Sequence, residues 1–175
     1  MSETNNSTST PPTKDSPPSL PLTLNVQFVK DLSFEVPHGA TIFATLKEAP
    51  HISVSIDVNA SRLSDEGVYE VGLMIKVDAK DTPKTDQDTP RVVFITELTY
   101  CAVISLNQPP EELVEPILMV EVPRLIFPYA RNIISEATRD GGFPPVVLQP
   151  IDFVALWQSK QAQKTAQTHS EAGHA

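Results

Sequence analysis

The chain has 175 residues, 40% of them apolar, with 13 Lys and Arg against 22 Asp and Glu, for a formal net charge of −9. That length suits one domain with a sizeable core, and the acidity argues against nucleic acid as a direct ligand, because phosphate binding needs Lys and Arg. A single cysteine, Cys101, excludes an internal disulfide and fits a reducing compartment.

The two ends are expected to stand apart from the domain. Residues 1–19 are almost entirely Ser, Thr, Asn and Pro, and residues 158–175 hold no apolar side chain larger than Ala. Neither stretch buries enough surface to offset its ordering entropy, so both are predicted to be flexible tails around a domain at 20–157. The tails carry −1 and +1, so the whole −9 belongs to the folded part, which permits basic partners. No run approaches the roughly 18 apolar residues of a membrane span. The start lacks a basic region followed by an apolar run. The expectation is a cytoplasmic protein without membrane insertion.

Residues 22–35, LTLNVQFVKDLSFE, alternate: Leu22, Leu24, Val26, Phe28, Leu32 and Phe34 point one way, and Thr23, Asn25, Gln27, Asp31, Ser33 and Glu35 the other. Period two over this length predicts a half-buried strand. The segment 37–50 is too long for a tight turn, and its Ile42, Phe43 and Leu46 need a place to bury. Residues 51–59, 68–78 and 91–106 alternate in the same way, separated by loop-like SRLSDEG and by the polar, proline-bearing AKDTPKTDQDTP. No helical pattern lies between strands two, three and four, so crossovers for a parallel sheet are lacking. The predicted fold is α+β, a four-stranded antiparallel sheet with helices packed on one face.

Three helices follow. The first is predicted over 110–120, with acidic residues near its start. The second runs from Pro123, a natural first-turn residue, to Gly141-Gly142, and the third spans 150–160. In the second, Leu125, Tyr129 and Ile133 form one row, with Ile126, Ala130, Ile134 and Ala137 beside it and Phe127 beyond. The apolar stripe is wider than one sheet needs, and Pro128 sits inside the helix. A second neighbour is expected: the third helix, or the same helix in another subunit, which the pattern favours.

The four histidines lack metal-ligand spacing, no phosphate-cradling glycine loop is present, and no Ser/His/Asp or paired-carboxylate arrangement stands out. No cofactor or metal is expected, and the chain reads as a binding protein rather than an enzyme. Asp31 and Glu35 share the outer face of strand one, and Ile95 and Glu97 that of strand four. This is either a docking spot for a basic partner or a solvated face with one stray apolar residue, and composition alone favours the latter. Phe43, Leu46 and the run from Phe143 to Leu148 sit in loop-like sequence, where they either line an apolar groove or plug the core.

Residues 124–157, RLIFPYARNIISEATRDGGFPPVVLQPIDFVALW, closely resemble the protein-export chaperone family SecB, in which a helix carrying L-F-P-Y-A-R precedes G-x-F-P-x-x-x-L-x-P-[VI]-[ND]-F-x-x-L. The resemblance continues in FVKDLSFEVP, VYEVGL and FITELTYCAVISL, and covers 22–157 in order. It implies an ATP-independent chaperone that binds unfolded precursor proteins, keeps them competent for export and delivers them to the motor SecA. It also implies a homotetramer, a dimer of dimers, with an interface here at Leu125, Phe127, Tyr129, Ile133 and Ile134. The family's SecA-docking positions fall on Asp31, Glu35, Ile95 and Glu97. Its client groove would include Phe28, Phe43, Leu46, Phe143 and Phe153, although the tryptophan often found in the family's crossover is replaced here by Leu46-Lys47-Glu48. Rival readings are a SecB-like chaperone dedicated to a toxin–antitoxin pair, and a small-molecule domain with a closed cavity.

Overall fold

A computed structural model of the chain describes residues 22–82 and 89–171, the last eight by backbone alone. The expectations for residues 1–19, for the middle of the 79–90 linker and for residues 172–175 lie outside the described residues.

Strands β1 (Leu22–Glu35), β2 (His51–Ser64), β3 (Val68–Lys80) and β4 (Val92–Leu106) form one antiparallel sheet in the order β1-β4-β3-β2. The expected sheet is present, and β2 runs five residues beyond the expected 51–59. Residues 60–64 lack the alternation but still pair with β3, from Ala60 opposite Val71 to Ser64 opposite Val68. Gly67 closes this hairpin at φ 77°, where an added Cβ would stand 3.2 Å from the Leu106 carbonyl. Because β1 and β2 lie at opposite edges, the 36–50 segment must cross the whole sheet. It does so through helix α1 (Ala40–Thr45), which buries Ile42 completely.

Residues directly opposite in an antiparallel pair share a face. On β4, Phe94, Thr96, Leu98, Tyr100, Ala102, Ile104 and Leu106 face the helices, and Ile95, Glu97, Thr99, Cys101 and Val103 face away. On β1 the expected alternation fails in the middle. Register shifts between Leu24 and Val26, and again between Val29 and Asp31, insert an extra residue each time. Between these bulges the phase is inverted: Phe28 lies opposite Cys101 and Val26 opposite Val103 on the outer face, while Gln27 turns inward opposite Ala102. After the second bulge Asp31 and Glu35 are outward again and Leu32 and Phe34 inward, as expected.

The helical run after β4 is continuous. Helix α2 (Glu111–Pro116) passes through a π-helical turn at Ile117–Glu121 into α3 (Val122–Asp140), so the two helices expected at 110–120 and from Pro123 form one run. The widened turn falls between Pro116 and Pro123, each of which lacks the N–H that an ordinary turn uses. Helix α3 lies over β4 and β3 and buries Val122, Ile126, Phe127, Ala130, Ile134 and Thr138 at helical spacing. Helix α4 starts at Phe153, with the Ala155 amide donating to Asp152 Oδ1 at 3.0 Å, a side-chain cap. It continues to Glu171, eleven residues past the expected end, where a tail had been expected. Its Ala, Gln and Lys residues are good helix formers, so their propensity extends a helix whose start is anchored.

Gly141 and Gly142 end α3, with Gly142 at φ 88° and the Phe143 amide donating to the Thr138 carbonyl at 3.1 Å. The buried Thr138 hydroxyl accepts from the Val146 amide at 2.9 Å and donates back to the helix carbonyls. It thereby pins the extended 143–151 segment beside the sheet. The Phe34 ring stacks on Phe94 at 5.5 Å and meets Phe143 at 6.3 Å. An added Cβ on Gly141 would lie 2.2 Å from that Phe34 ring, although the φ of −71° suits any residue. Gly141→Ala is therefore expected to lower stability by about 1–3 kcal/mol through overpacking. A urea midpoint equal to that of the wild type would show that Phe34 is free to swing aside.

Candidate functional site

Two surfaces on opposite sides of the sheet carry the candidate residues. The first is a groove on the helix-covered side. The sheet is four strands wide, but α3 covers only its middle, and the π-helical turn reaches β2 near the buried Val58. Ile52 and Val54, earlier on β2, are left without a helix above them, and Val54 is exposed. The segment from Pro144 to Leu148 forms the facing wall, Leu46 to Pro50 the rim, and Phe94 and Phe143 the inner end. The resulting groove is about 720 Å³ and open to solvent. Its lining is apolar except for Lys47, Glu48 and Gln149.

Of the five residues expected in this groove, Leu46 and Phe143 line it. Phe43 stacks on Phe143 with ring centroids 4.9 Å apart and is 52% exposed, so it extends the apolar surface beyond the groove's end. Two expectations are corrected. Phe28 is on the other side of the sheet, because the bulges in β1 invert its direction. Phe153 is 1% exposed and packs edge-on against Phe127 at 5.8 Å, in the core between α3 and α4. The sequence reading missed Ile52, Val54 and Phe94. The first two were visible as inward-facing residues, but nothing in sequence shows that the helices stop short of them.

The second surface is the open face. The strand register sets three rows across it: Glu35, Ile95, Asp78 and Ser53, then Ser33, Glu97, Lys76 and Ser55, then Asp31, Thr99, Met74 and Asp57. Neighbours within a row are one strand apart, roughly 4.8 Å, and successive rows roughly 7 Å apart. The four residues Asp31, Glu35, Ile95 and Glu97 are thus brought together on one face. Ile95 is flanked by Glu35 on one side and by Asp78 on the other, a carboxylate that sequence reasoning missed because cross-strand register is not legible in it. Lys76, opposite Glu97, donates to its carboxylate at 2.5 Å, and this hydrogen bond raises the lysine pKa above its ordinary value, helped by Asp78 and Glu35. Further along this face Cys101 is buried between Phe28 and Gly72. Burial pushes its thiol pKa up, so it supplies little thiolate.

The residues expected at a subunit interface divide. Phe127 and Ile134 are buried in the chain's own core, a correction that follows from the side of α3 they occupy. Leu125 and Tyr129 are 50% and 52% exposed, and Ile133, the next in their row, is partly buried. Tyr129 lies close enough to Tyr100 to help raise its pKa, after burial of that phenol. Tyr100 in turn pairs with Val29 of β1, which is exposed together with Leu24 and Leu32. An uncovered apolar surface therefore runs from α3 to the edge strand. Among the described residues no helix is long and apolar enough to cross a membrane.

Comparison with known proteins agrees with this architecture. Residues 15–164 match the family model for the preprotein translocase subunit SecB. A protein-export protein SecB 1 of Gluconobacter oxydans is 62% identical over 157 residues, which cover 89% of this chain and 91% of that protein. A protein-export protein SecB of Gluconacetobacter diazotrophicus is 64% identical over 160 residues, covering 89% and 94%. Among solved structures, a SecB-like chaperone of Mycobacterium tuberculosis in complex with a ChAD peptide from the antitoxin HigA1 shares the fold. Its TM-score is 0.54 at 12% identity, over 75% of this chain and 91% of that one. The chain belongs to the SecB family of protein-export proteins.

Proposed function

We propose that this protein is an ATP-independent cytoplasmic chaperone that holds unfolded secretory precursors in the groove and passes them to the motor SecA across the open face. The observation that carries the proposal is the placement of the two surfaces back to back on β4. Phe94 ends the groove, and its neighbour Ile95 is the apolar centre of the acidic face.

The groove suits an extended chain. It is open, with Val147 and Val54 exposed on its two sides, which does not fit a domain built to enclose a small molecule. Apolar recognition without fixed polar contacts tolerates many sequences, and only an unfolded client offers long apolar stretches to such a surface. Binding the unfolded state and not the native one slows folding by mass action, without nucleotide and without a cofactor. The open face suits a partner that brings cations around an apolar spot. Its charge steers that partner at long range and makes docking salt-sensitive, and Ile95 supplies the buried anchor. The uncovered apolar surface of Leu125, Tyr129, Val29 and Leu32 supports assembly into a homotetramer, a dimer of dimers, in which that surface is buried.

The test is refolding of a slow-folding secretory precursor diluted from denaturant, without nucleotide. The wild-type chain and Glu97→Lys are both expected to arrest refolding near one tetramer per client. Added SecA is expected to relieve the arrest with the wild type only. Unchanged refolding at micromolar protein would contradict the holdase reading, and relief by SecA in both would contradict the docking reading. The assembly reading has its own check. Tyr129→Lys places a charge on an exposed position that the monomer tolerates, and is expected to move sedimentation at micromolar concentration from tetramer to smaller species. An unchanged mass would remove α3 from the interface.

A further inference from the structure

Within the three rows of the open face, twelve positions hold five carboxylates, Asp31, Glu35, Asp57, Asp78 and Glu97, and one cation, Lys76. Two of the five are already engaged by the chain itself. Asp57 pairs with Lys160, which reaches around the β2 edge from α4 and also donates to the Val58 carbonyl at 2.7 Å. Glu97 pairs with Lys76 directly across the strands. Asp31, Glu35 and Asp78 have no ion-pair partner among the described residues. Glu97 is thus the one acid of the expected docking set that is not available to an incoming cation as it stands.

We propose that Lys76 is the resident occupant of the Glu97 carboxylate, that a lysine or arginine of the docking partner exchanges with it, and that Lys76 thereby tunes how tightly this face holds a basic partner. The inference rests on the docking reading above and names the residue that regulates it. Three observations support exchange. Both side chains are about half exposed, so the pair is reachable from solvent. An exposed pair of this kind contributes little net stability, so replacing one cation by another is close to balanced. The displaced ammonium also has somewhere to go, since Asp78 and Glu35 already act on it and neither has another partner. The pair itself lines a dent of about 280 Å³ together with Asp31, Met74 and Thr99, so an incoming side chain meets a second carboxylate and a thioether there.

The test is a double-mutant cycle. Purified SecA is titrated against the full-length wild type, Lys76→Gln, Glu97→Gln and the double variant at low salt. Each substitution removes one charge, keeps a polar side chain and lies at a half-exposed position. Exchange predicts that Lys76→Gln tightens docking about two- to fivefold, the range of an exposed ion pair. It also predicts that the same substitution tightens docking clearly less in the Glu97→Gln background, where there is no pair to break and only the weaker action of Lys76 on Asp78 and Glu35 remains. Equal tightening in both backgrounds would mean that Lys76 acts only through the diffuse field of the face, and would overturn the proposal. So would no tightening in a wild-type background that binds SecA and is weakened by Glu97→Gln. Failure of the wild-type chain to bind SecA at all would overturn the docking reading and this proposal with it.

Discussion

Everything in this molecule depends on β4 having a hydrogen-bonded neighbour on each side. A strand in the middle of a sheet has no edge, so each of its residues must belong to one face or the other, and alternate residues enter different environments. Phe94, Leu98, Tyr100 and Ile104 form the floor on which α3 packs. Ile95, Glu97 and Thr99, one step away along the chain, face away from the helices. A one-residue slip of β4 would exchange these sets, placing Glu97 in the core. The burial of the aromatic and aliphatic set therefore also fixes where the acids stand.

The same logic explains why the groove lies where it does. The chain order β1-β4-β3-β2 sends the 36–50 crossover from one edge to the other, and the helices settle over the central strands that carry the most apolar side chains. Coverage runs out at β2, and the crossover and the 143–151 segment form banks around what is left. Thr138 and the Phe34–Phe94–Phe143 cluster fix the bank, so the groove is a shaped part of the fold and not merely an exposed hydrophobic edge.

Much of this was legible in the sequence, for identifiable reasons. Three strands alternate over most of their length, so their existence, their faces and the outward positions of Ile95 and Glu97 follow from period two. The glycine pair ends α3 where expected. Strand β1 defeats the same method. Its apolar residues keep a nearly perfect alternation while the backbone slips twice, so Phe28 reads as inward and is outward. Such bulges leave no composition signal because apolar residues are tolerated on both faces of this strand. Burial within a helix is equally hard to divide by pattern. Phe127 and Ile134 belong to the same stripe as Leu125 and Tyr129, and only the placement of the sheet and α4 separates the inward row from the exposed one. Asp78 and Lys76 carry no signal of their own in the sequence, since their position beside Ile95 and Glu97 depends on cross-strand register.

The central claim is that client and motor use opposite sides of one sheet and so do not compete for space. The most direct test is to saturate the protein with an unfolded precursor and titrate SecA against the loaded complex and the free protein, following the mass of the complexes by light scattering. The account predicts a ternary complex, with SecA binding undiminished by the client. Displacement of the client in proportion to SecA bound, with no ternary species at any concentration, would mean that the two ligands share one surface and would contradict it.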